Sequence, residues 1–188
     1  LDTETTGFPE APWSRVLELA AGRLNEDGEE TASFATLVCP EILDERGAGA
    51  ERVHGITAAD VEDAPLAGRT AGMFLAWRQS HAAVCVSSFN VAFDRPMVER
   101  MGLDGMTWGS CIMERAMAVM GPAGVLRSAD PGHPRYVPGR PWLWPSLAKS
   151  AEFFGVTVDG DPHRALTDAR TAARVAVAVL RRQAETRQ

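Results

Sequence analysis

Two carboxylates open the chain at alternate positions, Asp2 and Glu4 in the stretch LDTETTG at residues 1–7. Along a β-strand, side chains two residues apart point to the same face and lie about 6.5 Å from each other. Two negative charges at this spacing repel, which is costly unless a positive group lies between them. Because divalent cations prefer carboxylate oxygens, the pattern predicts part of a metal site.

A third acid interrupts an apolar helical pattern near the end of the sequence. On a helix that includes Leu166, Asp168 aligns with Ala172 and Val175 at the edge of the inward-facing arc. A carboxylate at such a position must be paired, protonated or bound to metal. A buried acid hydrogen-bonded to backbone or to arginine is the alternative interpretation.

A fourth acid and a histidine have contexts that suit the same chemistry. Asp94 ends the stretch FNVAFD at residues 89–94, shortly after an apolar segment, and ligands of α/β sheets bind at strand ends. His163 precedes Asp168 by five positions, about 140° on a helix, so we expect it on the loop that enters the helix. Histidine titrates near neutral pH and can take a proton from water. A role beside the helix cap is the alternative for His163.

The strands and helices that must position these side chains follow from local patterns. LDTETTG, residues 16–24 and TASFATLVCP predict a three-stranded meander, and AAVCVSS at 82–88 predicts a short buried strand. TAAD at 57–60 predicts a capping box. Strands followed by strand–helix alternation predict a layered α/β domain with a mixed sheet. Helices are predicted at 66–79, at 94–102 with Pro96 in the first turn, at 111–120, at 145–155 and after residue 165.

Length and composition are those of one globular domain. The chain has 188 residues, a net charge of −6 and no apolar run near the ~18 residues of a membrane span. Cys39, Cys85 and Cys111 are widely spaced, which predicts reduced thiols in the core of a cytoplasmic protein. The sequence starts at Leu1, directly on the acidic motif, and we expect residues to precede it.

A proline-rich segment at 121–145 predicts a long irregular loop. It holds six of the twelve prolines and four glycines. Trp142 and Trp144 lie near Arg135 and Arg140, so an aromatic and basic lip for a nucleic-acid strand is one interpretation. The other is that both tryptophans anchor the core.

Taken in order, DTETTG, FNVAFD and HRALTDA resemble the three exonuclease motifs of the DEDD superfamily, in its DEDDh branch, which includes polymerase proofreading subunits and ribonuclease T. VHGIT at 53–57 and SLAKSAEFFGV at 146–156 are also similar to segments of that family. The resemblance spans nearly the whole chain. It implies a ribonuclease H-like fold with a five-stranded mixed sheet flanked by helices.

The resemblance also implies functional residues and an activity. Asp2, Glu4, Asp94 and Asp168 match the four ligands of two Mg²⁺ or Mn²⁺ ions, and His163 matches the general base of phosphodiester hydrolysis. The implied activity is 3′–5′ exonucleolytic release of nucleoside monophosphates from the 3′ end of single-stranded DNA or RNA. A polymerase partner and a homodimer both stay open. The residues implied to contact substrate are Thr5, Thr6, Gly7, Phe8, Asn90 and His54.

Some of these residues have structural alternatives. Gly7 and Pro9 are also typical of a simple turn, and His54 fits a structural role better than a catalytic one. Phe89 stands before Asn90 where family members commonly have histidine, which bears on substrate positioning more than on the metal ligands. A non-catalytic nucleic-acid-binding or partner-binding module of the same fold is therefore the alternative to an enzyme.

Overall fold

A computed structural model describes residues 1–40, 48–128, 130, 132 and 141–185 of the chain. Three strands form the predicted antiparallel meander, in the order β1 (Asp2–Thr5), β2 (Val16–Leu24) and β3 (Glu30–Leu37). Strand β2 lies in the middle and its residues 16–21 are buried on both faces. The register places Glu4 of β1 opposite Glu18 of β2.

The turn between β2 and β3 explains why this hairpin needs a glycine. The Asn25 side chain accepts hydrogen bonds from the backbone N–H groups of Asp27 (3.0 Å) and Glu29 (2.8 Å). Gly28 has φ +84°, and a Cβ there would lie 2.7 Å from a methyl group of Val177. Both the backbone conformation and the close approach of the last helix therefore require the absence of a side chain.

The segment at 82–88 adds backbone contacts beside β1 without forming the predicted strand. Val86 makes an isolated parallel bridge with Trp108, and the amino group of Leu1 donates to the Ser87 carbonyl at 2.9 Å. Val84 is 80% exposed. The described residues contain three strands, so the expected count of five is not confirmed. An apolar run indicates burial, but it does not ensure a strand. Here the only β-bridge that the segment forms among the described residues is the isolated one at Val86.

Helices cover the sheet; those after residue 57 lie at the predicted places, whereas the sequence did not predict the one at Ala48–His54. The TAAD capping box is confirmed, since the Thr57 hydroxyl and the Asp60 carboxylate each accept the other residue's backbone N–H. The Ser146 hydroxyl caps another helix, which ends at Gly155 with φ +65°. The helices are α1 (Ala48–His54), α2 (Ala58–Val61), α3 (Ala67–Ser80), α4 (Val91–Glu99), α5 (Ile112–Met120), α6 (Leu147–Phe154) and α7 (Ala165–Glu185).

One helix start differs from the prediction. Helix α4 begins at Val91, three residues before Asp94, because the Asn90 carbonyl accepts the backbone N–H groups of Phe93 and Asp94. Pro96 therefore lies inside the helix, where its missing N–H leaves the Ala92 carbonyl without its usual partner. The earlier start puts Asp94 in the first turn and turns its carboxylate toward β1.

Two apolar clusters fill the space on either side of the sheet. The first joins Leu19 of β2 to Phe74 of α3 and Met97 of α4. The second joins Val175 of α7 to Ala116 of α5 and Ala151 of α6. The sheet thus lies between α3 and α4 on one face and α7 with α5 and α6 on the other, which is the layered arrangement that the sequence predicts.

No helix within the described ranges is long and apolar enough to span a bilayer. All three cysteines are free thiols. Cys85 is exposed and the other two are only partly buried, so the expected core placement is wrong. Within the proline-rich loop, Ser128 and Trp142 form an antiparallel bridge. Arg135 and Arg140 lie outside the residues that the structure describes.

Candidate active site

A cavity of about 530 Å³ opens beside the end of β1 and collects the five side chains singled out by the acidic motifs. Alternation along β1 directs Asp2 and Glu4 to one face, while α4 and α7 each bring one further acid from distant parts of the chain. The loop before α7 adds the histidine. The residues lining the cavity include Asp2, Glu4, Asp94, Asp168 and His163.

Asp94 is the most enclosed of the four acids, with only 3% of the residue exposed, whereas the other three are partly buried. Its Oδ1 accepts a hydrogen bond of 2.8 Å from the Thr3 hydroxyl. Burial raises the pKa of the Asp94 carboxyl to about 6, although the bond from Thr3 partly opposes that rise. The helix therefore holds this carboxylate at a fixed point beside β1.

The two acids of β1 have pKa values raised by the same two causes. Burial and the nearby charges of Asp94 and Glu4 raise the pKa of Asp2. Burial, followed by the charges of Asp168 and Glu18, raises the pKa of Glu4 to about 8. Mutual repulsion among enclosed carboxylates is the electrostatic signature of a site that binds either protons or cations.

Glu4, His163 and Asp168 form the tightest group in the cavity. Each offers one ligand atom, and these atoms lie within 4.8 Å of one another. Burial raises the pKa of the Asp168 carboxyl, whereas the neighbouring His163 lowers it. His163 lies on the loop before α7, as predicted, with φ +60° and an exposed side chain.

A buried ion pair that sequence reasoning missed supports this group. Glu18 is 6% exposed, and its carboxylate accepts two hydrogen bonds from the Arg164 guanidinium, at 2.8 and 3.1 Å. It also accepts the backbone N–H of Ala165 at 2.9 Å. The available signal was an acid within the apolar stretch VLELAA of β2.

The segment after β1 forms one wall of the cavity, and its polar groups are used internally. The Thr5 hydroxyl donates to the Gly7 carbonyl at 2.8 Å, and the Thr6 hydroxyl accepts the Arg15 N–H at 2.9 Å. A Cβ at Gly7 would lie 2.8 Å from the outer edge of the Trp13 ring, so a larger residue there would displace that ring. Phe8 is 73% exposed and meets Phe93 edge-on, with ring centroids 6.4 Å apart.

His54 lines the cavity with both ring nitrogens occupied. Its Nδ1 accepts the backbone N–H of Ile56 at 3.0 Å, which leaves Nε2 to donate to the Thr5 carbonyl at 3.3 Å. Burial lowers the pKa of His54, in keeping with a neutral ring. The ring connects α1 to the end of β1, which is the structural role considered for it.

Phe89 and Asn90 form the opposite wall. Phe89 is 9% exposed and packs in the second apolar cluster while one part of it lines the cavity. The Asn90 Oδ1 is buried without a hydrogen-bond partner among the described residues. Phe89 thus adds an apolar surface to this wall beside Asn90.

The two tryptophans of the proline-rich loop have different environments. Trp142 packs against the second apolar cluster and lies so close to Gly121 that a Cβ there would clash with its indole ring. Trp144 is 40% exposed. Trp142 thus fits the core-anchor interpretation, while the basic half of the expected lip lies outside the described residues.

Comparison with known proteins gives a family and a fold. Among solved structures, Exonuclease X in complex with 5′ overhanging duplex DNA has a TM-score of 0.65 and 21% identity, covering 97% of this chain and 90% of that chain. The nuclease domain of 3′hExo, a DEDDh family member bound to rAMP, has a TM-score of 0.70 and 20% identity, covering 96% and 90%. E. coli Exonuclease I in complex with a dA16 oligonucleotide has a TM-score of 0.63 and 19% identity, covering 98% of this chain and 40% of that chain.

These structural similarities over nearly the whole chain show the fold, and the expected ribonuclease H-like class is confirmed. No curated protein matches the sequence. The RNase T family model, described as an exonuclease, matches residues 1–176. The chain therefore belongs to the RNase T exonuclease family, with the DEDDh motif set that its sequence resembles.

Proposed function

We propose that this chain is a metal-dependent 3′–5′ exonuclease that releases nucleoside monophosphates from single-stranded DNA or RNA. The observation that carries the proposal is the convergence of four carboxylates and His163 on one cavity. Family membership supports the class of reaction, and the substrate and direction are inferred.

The donor set fits divalent cations. All four acids offer hard oxygen ligands, and burial raises the pKa of each. For Asp2 and Glu4, repulsion from other acids of the set adds to this rise, and a bound cation would relieve it. Asp2, Glu4, Asp94 and Asp168 are proposed to hold two Mg²⁺ or Mn²⁺ ions. When bound, such ions polarise the scissile phosphate, lower the pKa of water and stabilise the leaving oxygen.

His163 is proposed to take the proton from the attacking water at a ring nitrogen. It lies beside Glu4 and Asp168, and its side chain is exposed to solvent on a short loop. An exposed imidazole beside the acidic cluster is suited to general-base catalysis. The proton then leaves to solvent when the product departs.

The apolar part of the cavity is proposed to hold the terminal nucleoside. Phe8 offers an exposed ring on which a base can stack without regard to sequence. Val53 of α1 and Leu147 of α6 also line the cavity. The 3′hExo nuclease domain binds rAMP, which supports a mononucleotide as the occupant of the equivalent space here.

The direct test uses a 5′-labelled single-stranded oligonucleotide with Mg²⁺ or Mn²⁺. We expect a ladder of products shortened from the 3′ end, and no products with EDTA or with Asp168→Ala. Asp104→Ala is the matched control, because this acid is exposed and is not among the residues that line the cavity. Equal activity of Asp168→Ala and wild type would contradict the proposal.

A second candidate, a non-catalytic nucleic-acid-binding module, is favoured by Phe89 alone, which makes one cavity wall apolar. Oligonucleotide binding without metal-dependent turnover would support that candidate. Competition between DNA and RNA oligomers of matched sequence decides the substrate class if turnover occurs.

A further inference from the structure

The ion pair between Glu18 and Arg164 occupies an unusual place in the fold. Glu18 lies in the central strand β2, directly opposite Glu4 in the β1–β2 register. Its side chain is almost fully enclosed, whereas the Arg164 side chain is 45% exposed. A buried carboxylate beside four others adds repulsion, so its presence requires a compensating function or a compensating charge.

The contacts of Glu18 converge on the backbone and side chain at the start of α7. Arg164 donates through Nη2 to Oε1 at 2.8 Å and through Nε to Oε2 at 3.1 Å, which is a two-point contact with a planar guanidinium. The N–H of Ala165 donates to Oε2 at 2.9 Å. We call these three bonds the Glu18–Arg164 clamp.

The clamp fixes the residues that flank it. His163 directly precedes Arg164 and has φ +60°, a backbone conformation that non-glycine residues rarely adopt. The Asp168 N–H donates to the Arg164 carbonyl at 3.0 Å, which begins the helix that carries Asp168. The loop with His163 is thus attached to the strand that pairs with Glu4.

We propose that the Glu18–Arg164 clamp positions His163 over the acidic cluster for general-base catalysis, so that Glu18 and Arg164 are positioning residues. This inference rests on the proposed exonuclease function. Neither residue needs to touch substrate or metal. The clamp stabilises an otherwise strained loop conformation and thereby fixes the position of the His163 ring.

Kinetics of Arg164→Gln and Arg164→Lys test the proposal. We expect Arg164→Gln to lower kcat about tenfold with KM unchanged, since partial loss of a positioned base costs part of its catalytic effect. Arg164→Lys keeps the charge but loses the two-point contact. Its kcat should therefore lie between those of Arg164→Gln and the wild type. In a His163→Ala background, Arg164→Gln should cause no further loss, because both changes then act on the same step.

Arg170→Gln is the matched control. Arg170 lies on α7 and, like Arg164, makes a two-point contact with a glutamate of the sheet, here Glu30 of β3. We expect it to leave kcat unchanged. Amide hydrogen exchange of the peptide covering 161–168 should rise in Arg164→Gln and stay unchanged in Arg170→Gln.

Three results would overturn the inference while leaving the exonuclease proposal intact. These are wild-type kcat in Arg164→Gln, a raised KM with kcat unchanged, or a full additional loss in the His163→Ala background. The second result would make Arg164 a substrate contact, and the third would make the clamp a purely structural device. A wild type that releases no nucleotide would instead overturn the exonuclease proposal and this inference together.

Discussion

Glu4 and Asp94 hold protons in the folded protein at pH values where an exposed carboxyl has lost them. Burial and the charges of Asp168 and Glu18 raise the pKa of Glu4 to about 8, and burial raises that of Asp94 to about 6. An acid whose pKa is higher in the folded state binds more protons there than in the unfolded chain. The free energy of unfolding therefore falls as pH rises from the unfolded pKa to the folded one.

The first prediction is a pH-dependent stability that Glu4 controls. In EDTA, we expect the melting temperature to fall as the pH rises from about 4.5 to about 8, the two pKa values of Glu4. Glu4→Gln should flatten this fall and melt higher than wild type at pH 8, because the buried charge is gone. Asp104→Asn, an exposed acid, should keep the wild-type profile. Differential scanning calorimetry across this range checks it, and a Glu4→Gln profile identical to wild type would contradict it.

At the scale of strands and helices, hydrogen bonds to backbone carbonyls attach the loop segments that line the cavity to neighbouring helices. The Arg100 guanidinium, just after α4, donates to the Ala11 carbonyl at 3.1 Å and also to the Pro9 carbonyl. These bonds attach the segment with Phe8 to the helix that carries Asp94. One wall of the cavity and one proposed metal ligand therefore depend on the same helix.

The second prediction concerns this attachment. Arg100→Ala should raise KM for a single-stranded oligonucleotide several-fold while leaving kcat near the wild-type value, because the Phe8 segment loses its anchor but the acids do not move. Arg69→Ala, an exposed arginine on α3, is the control and should change neither constant. Steady-state kinetics separate the two parameters. A fall in kcat with KM unchanged would place Arg100 in the chemistry instead.

The third prediction concerns the β2–β3 turn under α7. Gly28→Ala should lower the free energy of unfolding through its positive φ and through the clash with Val177. Gly102→Ala isolates the first effect, because Gly102 has φ +92° and nothing within 4 Å of its added Cβ. We expect the free energy of unfolding to fall by about 1 kcal/mol in Gly102→Ala. In Gly28→Ala it should fall by about 1–3 kcal/mol more. Urea unfolding measures both, and equal losses would show that α7 simply moves away.

At the scale of the whole molecule, the sequence predicted those features of the fold and site that depend on the residue spacing within one strand or helix. The two-residue spacing of Asp2 and Glu4, and the 100° rotation that placed Asp168 inward and His163 outside the helix, are both properties of a few neighbouring residues. The Glu18–Arg164 clamp was missed because its partners are 146 positions apart. The strand predicted at 82–88 does not form, because an apolar run indicates burial but not whether a neighbouring strand is aligned for hydrogen bonding.

The last prediction is that Mn²⁺ stabilises the folded chain through the four acids, which are distant in sequence but line one cavity. The four carboxylates come from β1, α4 and α7, so a cation that they share binds the folded state alone and stabilises the whole chain. Mn²⁺ at about one hundred times its Kd should add about 2.7 kcal/mol, which corresponds to a rise of about 5–10 °C in melting temperature for a chain of this size. Asp94→Asn can still accept a hydrogen bond from Thr3 but weakens the ligand set, so its rise should be much smaller. Asp104→Asn should respond as wild type does, and an equal Mn²⁺ response in all three proteins would show that the acids do not form a shared cation site.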